Sequence, residues 1–282
     1  MNHWLHVTRG DAPLIVSVPH AGTHIPDDIV PHLRSSWLAK RDADWWVDRL
    51  YDFATKMGAT LIRTDISRTV IDMNRDPSGV SLYPGQATTG LCPTETFDDD
   101  PLWMEGHAPD ADEIDRRRIA YFEPYHAAIR AEIDRLRELH PAVVLYDAHS
   151  IRSHVPRLFD GELPVFNIGT DGGRTCAPEL EAAVEQVCTA TGWSTTSNGR
   201  FRGGWITRHY GQPSQGVHAI QMELAMRGYL REPAGASTPD NWPVGYDSDF
   251  AEAMRGHLRG VLAACLNFAS FPIATSQPVR PE

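Results

Sequence analysis

Apolar and polar positions along the 282-residue chain fall into two patterns, short β-branched runs and longer stretches with helical spacing. Leu14-Ile-Val-Ser-Val18 is a compact run ending at Pro19, which reads as a buried strand. From Asp42 to Met57, residues Trp45, Val47, Leu50, Tyr51, Phe53 and Ala54 recur at helical intervals behind an acidic first turn, and Gly58 follows as the closing residue. Ala59–Arg63 and Thr69–Asp72 read as the next strands. Residues 76–109 are rich in Gly, Pro, Thr and Asp without any period, the signature of a long loop that is functional or mobile. Asp110 to Leu139 predicts the clearest helix, in which Pro124 requires a kink or two abutting helices. Ala142–Tyr146 predicts a core strand, 164–168 a further strand, 178–191 a helix, 217–224 a strand and 248–268 the last helix. Strands alternating with helices predict an α/β fold around a mixed, mostly parallel sheet. A single domain is expected over 1–270, with a poorly ordered Pro-rich tail at 271–282.

Composition narrows the function more than the fold. With 26 Lys and Arg against 37 Asp and Glu the net charge is −11, which argues against nucleic acid or an anionic membrane as partner. The N-terminus lacks the basic and apolar regions of a signal peptide, and no run approaches the ~18 apolar residues of a membrane span. Cys92, Cys176, Cys188 and Cys265 are scattered, with no Cys-x-x-Cys pair, so a reduced, cytoplasmic protein is expected. A small-molecule partner remains; the sequence carries no signal of oligomeric state.

Ligands of open α/β sheets gather at the carboxyl ends of the strands. His20 follows the strand ending at Val18, and His149 follows the strand ending near Tyr146, so both are candidate metal ligands, with Asp147 placed to orient His149. A third ligand is sought in Arg41-Asp42-Ala-Asp44-Trp-Trp-Val-Asp48, where Asp44 is favoured, Asp48 is the alternative, and simple helix capping stays open. Glu223, at the end of an apolar strand, is the candidate general base; an ion-paired strand-exit glutamate is the competing explanation. The developing oxyanion needs positive charge, and Arg75 is counted with Glu223 as catalytic. Arg68, Asn74 and Arg75, with Arg208 and His209 in Gly203-Gly-Trp-Ile-Thr-Arg-His-Tyr-Gly211, form polar segments suited to a substrate bearing carboxylates. Nucleotide-binding glycine loops, a Gly-x-Ser-x-Gly elbow and the His-Glu-x-x-His helix are absent.

These motifs make the chain recognisable. Ser17-Val-Pro-His-Ala-Gly-Thr-His-Ile-Pro26, Ser67-Arg-Thr-Val-Ile-Asp-Met-Asn-Arg75, the loop from Leu82 to Phe97, Asp147-Ala-His-Ser-Ile-Arg-Ser153 and the Gly203–Gly211 string resemble the N-formylglutamate deformylases over about 14–230. The resemblance implies a phosphorylase/hydrolase-like fold distantly akin to the zinc carboxypeptidases. It implies hydrolysis of N-formyl-L-glutamate to formate and L-glutamate in histidine degradation, with a divalent metal, Zn2+ first among them, on His20, Asp44 and His149. Glu223 would activate water, and Arg68, Asn74, Arg75 and Arg208 would grip the two carboxylates. Where relatives often carry Asp-Trp-His, this chain has Asp44-Trp45-Trp46, so a histidine at that position is not expected to be a ligand. Two alternatives are a metal-dependent deacylase of another N-acyl amino acid and a non-catalytic relative that binds an acidic ligand.

Overall fold

The computed structural model describes residues 3–270, and the tail expected at 271–282 lies outside them. A short strand, β1 (Leu5–Thr8), precedes the apolar run β2 (Leu14–Val18). The single helix expected over 42–57 is replaced by pieces: after α1 (Leu38–Arg41) come α2 (Val47–Leu50) and a 3₁₀ stretch at Asp52–Met57. The cause is Trp46, whose left-handed backbone (φ 66°) cannot sit inside a continuous right-handed helix. Gly58 does close this region, at φ 79°, a conformation that the lack of a Cβ makes inexpensive. β3 (Thr60–Thr64) follows.

The strand expected at Thr69–Asp72 does not form. The Val70 amide instead donates to the Ser67 carbonyl at 2.9 Å in a turn that still buries Val70 and Ile71. No helix or strand occurs between β3 and residue 110, in accord with the expected loop. α3 (Ala111–Arg117), capped by the Asp110 carboxylate accepting from the Glu113 amide at 2.9 Å, passes through a π turn at Arg118–Phe122 into α4 (Glu123–Leu139). That wider turn is where the helix accommodates Pro124, which has no N–H to donate.

The remaining elements are β4 (Val143–Ile151), β5 (Phe166–Gly169), α5 (Pro178–Ala190), β6 (Thr195–Ser197), α6 (Trp205–Tyr210), β7 (Val217–Ala225) and α7 (Ser248–Ser270). One seven-stranded sheet results, in the order β1-β3-β2-β4-β7-β5-β6. β3, β2, β4 and β7 run parallel, as do β5 and β6, while β1 and β5 pair antiparallel with β3 and β7. The sheet is therefore mixed and mostly parallel, with helices on both faces.

Side-chain alternation sorts the two cores. Val144, Tyr146, Ala148, Ile220, Met222 and Leu224 pack with Leu180 of α5 and Leu258 and Leu262 of α7. Val143, Leu145, Val217 and Ala219 pack on the opposite face with Ile129, Ile133 and Leu136 of α4. Each fully buried aliphatic side chain contributes about 1.5–3 kcal/mol relative to exposure, so helices on both faces are held firmly. Continuing the second face along the strands with period two gives Asp147 and His149 on β4, and Gln221 and Glu223 on β7. The register sets Asp147 beside Gln221 and His149 beside Glu223. A face that is apolar under α4 thus turns polar toward the strand ends.

Candidate metal centre

Three separate elements supply one cluster. His20 lies just past β2, and its carbonyl accepts the Asp44 amide at 3.0 Å, which ties the bend between α1 and α2 to the strand end. Asp44 therefore stands in that bend and not in the first turn of a helix, as the unbroken 42–57 helix would have placed it. His149 lies within β4, which runs on to Ile151; the sequence placed it beyond a strand ending near Tyr146. The ligand atoms of His20, Asp44 and His149 all lie within 4.8 Å of one another, and all three residues are buried. Asp48, the alternative ligand, is half-buried in a different groove beside Trp46 and Lys40.

Both imidazoles present Nδ1 to the carboxylate: Asp44 Oδ2 is 3.1 Å from His149 Nδ1 and 3.9 Å from His20 Nδ1. Their outer nitrogens are spoken for. His20 Nε2 donates to Asp72 Oδ1 at 2.8 Å, and His149 Nε2 lies 2.9 Å from Asp147 Oδ2. A carboxylate only accepts, so each Nε2 carries a proton; the Nδ1 lone pair of His20 is left for a metal, while His149 Nδ1 must first release the proton it shares with Asp44. Two carboxylate-backed imidazoles and one carboxylate, with a cavity beside them, fit a divalent ion held by three protein ligands with an open position.

Charge around the cluster is balanced by burial and by arginine. Burial, with help from the Arg68 guanidinium, lowers the His20 pKa and keeps that ring neutral. Burial also pulls His149 down, but Asp147 and Asp44 on its two nitrogens more than offset this and hold it well above the usual histidine value. A metal must therefore displace a proton there, which makes affinity rise with pH. Asp72 is fully buried, and although burial pushes its carboxyl up, Arg75, His20 and Arg68 hold it well below the usual range. Sequence reasoning missed Asp72, because Arg68 and Asp72 four residues apart look like an ordinary ion pair. The available signal was a carboxylate wedged between Val70, Ile71 and Met73.

Above the cluster lies a cavity lined by Glu223, Gln221, Arg75, Arg200, Tyr83 and Phe97, among others. Glu223 makes no ion pair among the described residues, and its one side-chain hydrogen bond, from Gln221 Nε2, is long at 3.4 Å. Burial without close donors pushes its pKa up to about 8, near the value an acid–base catalyst needs at neutral pH. The ion-paired alternative for Glu223 is not what the structure contains. Gln221, missed in the sequence, is pinned by accepting the Gly204 amide at 2.8 Å. Gly204 must be glycine here, since a Cβ would come within 2.5 Å of the Asn74 side chain.

The other expected residues divide. Arg68 reaches the cavity but is committed to Asp72 at 2.8 Å and Asp44 at 3.3 Å. Asn74 also lines it, and its amide orients the cluster by donating to Asp147 at 2.9 Å. Arg75 lines the cavity, fixed through Nε to the Thr89 carbonyl at 3.0 Å. Arg208 and His209 do not line it. Arg208 binds the Leu82 and Gly203 carbonyls behind the cavity wall, and exposed His209 stacks on Trp205 with centroids 4.6 Å apart. Arg200, which the sequence did not single out, does line the cavity.

Two histidines and an aspartate at the carboxyl edge of a mixed sheet, facing a glutamate across one strand pair, define an α/β protein with a buried cluster suited to a divalent metal, as in hydrolases. A sequence model of the N-formylglutamate amidohydrolase family matches residues 12–230, and the chain belongs to that family. It is 46% identical over 267 residues to an N-formylglutamate deformylase of Pseudomonas aeruginosa, covering 94% of this chain and 97% of that one. Identity to an N-formylglutamate deformylase of Pseudomonas putida is 43% with the same coverage. An N-formylglutamate amidohydrolase of Ralstonia eutropha JMP134 has the same fold, with TM-score 0.75 at 23% identity over 95% of this chain and 97% of that one.

Proposed function

We propose that this chain hydrolyses N-formyl-L-glutamate to formate and L-glutamate with a divalent metal, zinc by preference, on His20, Asp44 and His149. The observation that carries the proposal is the cross-strand pairing of His149 with Glu223, which sets an unpaired carboxyl group over the cluster and inside an arginine-lined cavity. When bound, the metal supplies Lewis acidity at the formyl carbonyl and lowers the pKa of water. Glu223 takes a proton from the water that attacks the formyl carbon. It returns that proton to the amide nitrogen as the C–N bond breaks, so that formate and an amine leave. Arg75, anchored on Thr89 and 3.7 Å from Asp72, provides positive charge at the cavity wall for the oxyanion and for substrate carboxylate. Asp72 and Asp147 hold the imidazole tautomers, and Arg68 neutralises the carboxylates among which it is buried. The donor set of two imidazoles and a carboxylate supports the expected kinship with the zinc carboxypeptidases.

Formate release from N-formyl-L-glutamate, measured with and without a chelator and after zinc is restored, tests the proposal. Release that is lost with the metal and recovered with zinc is expected, and His149→Ala should abolish both metal content and turnover. Full activity of a metal-free preparation would end this reading. A preference for N-acetyl or N-succinyl amino acids in the same assay would replace formyl as the acyl group.

A further inference from the structure

Two arginines face the cavity: Arg75, whose nearest carboxylate is the buried Asp72 at 3.7 Å, and Arg200, which has none within ion-pair distance among the described residues. Arg200 is half-buried, and its guanidinium is held by carbonyls: Nε donates to Leu158 at 2.6 Å and Nη2 to Ala87 at 2.9 Å. Among the described residues it has no carboxylate within ion-pair distance, so the Nη1 hydrogens and one Nη2 hydrogen have no protein acceptor. The guanidinium also lies over the rings of Tyr83 and Phe201, at 5.5 and 5.3 Å, which fixes its plane. Arg75 is held in the same manner, through Thr89, on the wall that carries Asn74 and the metal cluster. Desolvation lowers the pKa of Arg200, as does the nearby charge of Arg75, against the opposing influence of Tyr83 and Glu223. Two half-buried positive groups on one cavity wall, each held by a carbonyl tether, are an arrangement that an anion relieves. Ile151, Leu158 and Phe201 line the same cavity and offer an apolar wall for a methylene spacer.

We propose that Arg200 is the specificity-determining residue that takes the side-chain carboxylate of the substrate, while Arg75 takes the carboxylate next to the scissile amide. The assignment rests on the N-formyl-L-glutamate reading above and adds to it. Arg68 is saturated by Asp44 and Asp72 and acts as a positioning residue. Arg208, which binds loop carbonyls behind the wall, is left out of the carboxylate subsite.

Arg200→Gln, Arg200→Lys and Arg75→Gln are compared with wild type on N-formyl-L-glutamate and on N-formyl-L-glutamine, whose side chain is neutral and nearly isosteric. For wild type the acid is the better substrate. For Arg200→Gln, kcat/KM on the acid should fall about 100-fold while the glutamine analogue changes by less than about threefold, erasing the discrimination. Arg200→Lys should recover part of the discrimination by charge alone, and Arg75→Gln should impair both substrates. Calorimetry of metal-free protein with L-glutamate and L-glutamine should give the same loss of preference for Arg200→Gln. Equal losses on both substrates, as a collapsed cavity roof would give, overturn the assignment, as does discrimination that survives Arg200→Gln. If wild type itself does not favour N-formyl-L-glutamate, the substrate reading falls and takes the assignment with it; the wild-type row alone separates the two failures.

Discussion

Replacing Asp72 by Asn probes whether the metal ligands depend on the carboxylates behind them. Asp72 has no exposed surface and accepts from His20 Nε2 and Arg68 Nη2, both at 2.8 Å, and from the Asn74 amide at 2.9 Å. An asparagine keeps the shape but offers one acceptor oxygen, and its NH2 must face either the imidazole or the guanidinium, both of which are donors. At least one charge-assisted hydrogen bond, about 1.5–3 kcal/mol, is therefore lost outright. Arg68 retains Asp44 at 3.3 Å, which keeps the penalty below the roughly 3–5 kcal/mol of a fully orphaned buried pair. We expect stability to fall by about 2–3 kcal/mol and zinc affinity to weaken roughly 10–100-fold, because His20 loses the group that fixes its tautomer and direction. Zinc affinity is measured by competition with a chromophoric chelator, and stability by urea denaturation of the metal-free protein. A folded Asp72→Asn protein that binds zinc within twofold of wild type would refute this account of the site.

Two further outcomes are expected. Glu223→Gln should retain zinc stoichiometry but lower kcat by about 10²–10⁴-fold with little change in KM, because it removes the proton shuttle and leaves the ligands in place; loss of zinc in this variant would instead make Glu223 a ligand. His126 is half-buried against the Met73 carbonyl, and desolvation, aided by the charges of His209 and Arg130, lowers its pKa to about 3. Between pH 6.5 and 3 the unfolded chain binds a proton that the folded chain refuses, so this contribution to stability is present above 6.5 and drains away as the pH falls. Between pH 6.5 and 4.5 it amounts to roughly 2 kcal/mol, and His126→Gln should flatten the acid side of the stability curve by about that much. Denaturation midpoints at the two pH values check it, and parallel curves for the two proteins would contradict it.

The strands that carry the site were legible because they are buried on both faces. The runs in β2, β4 and β7 and the long amphipathic α5 and α7 announce themselves by unbroken or periodic apolar residues. β1 and β6 escaped notice because they are edge strands of three or four partly exposed residues, which leave little hydrophobic pattern. The 42–57 segment has the side-chain spacing of a helix, yet the left-handed Trp46 is set by tertiary contacts, including its indole N–H to the Val244 carbonyl at 2.9 Å, which no local pattern encodes. In the site, His20, His149 and Glu223 were singled out from strand ends and residue type, and Asp44 from a helix start that the structure replaces with a bend. Asp72, Gln221 and Arg200 were not, since their partners lie far along the chain: Asp72 on His20, Gln221 on Gly204, Arg200 on Leu158 and Ala87. Arg208 carried the right chemistry in the right string, but its guanidinium is used to fasten the loop at Leu82.

Because His149 and Glu223 are neighbours across β4 and β7, the gap between them is the strand spacing of any sheet, about 4.8 Å, enforced by backbone hydrogen bonds. Loops can lengthen or change composition over generations without altering that gap. One residue inserted into β7 ahead of Glu223 would turn its carboxyl to the α5 and α7 side and leave the cluster without its acid–base partner. The distance from cluster to acid–base partner is thus policed by the parity of two strands, independently of what the loops around them become.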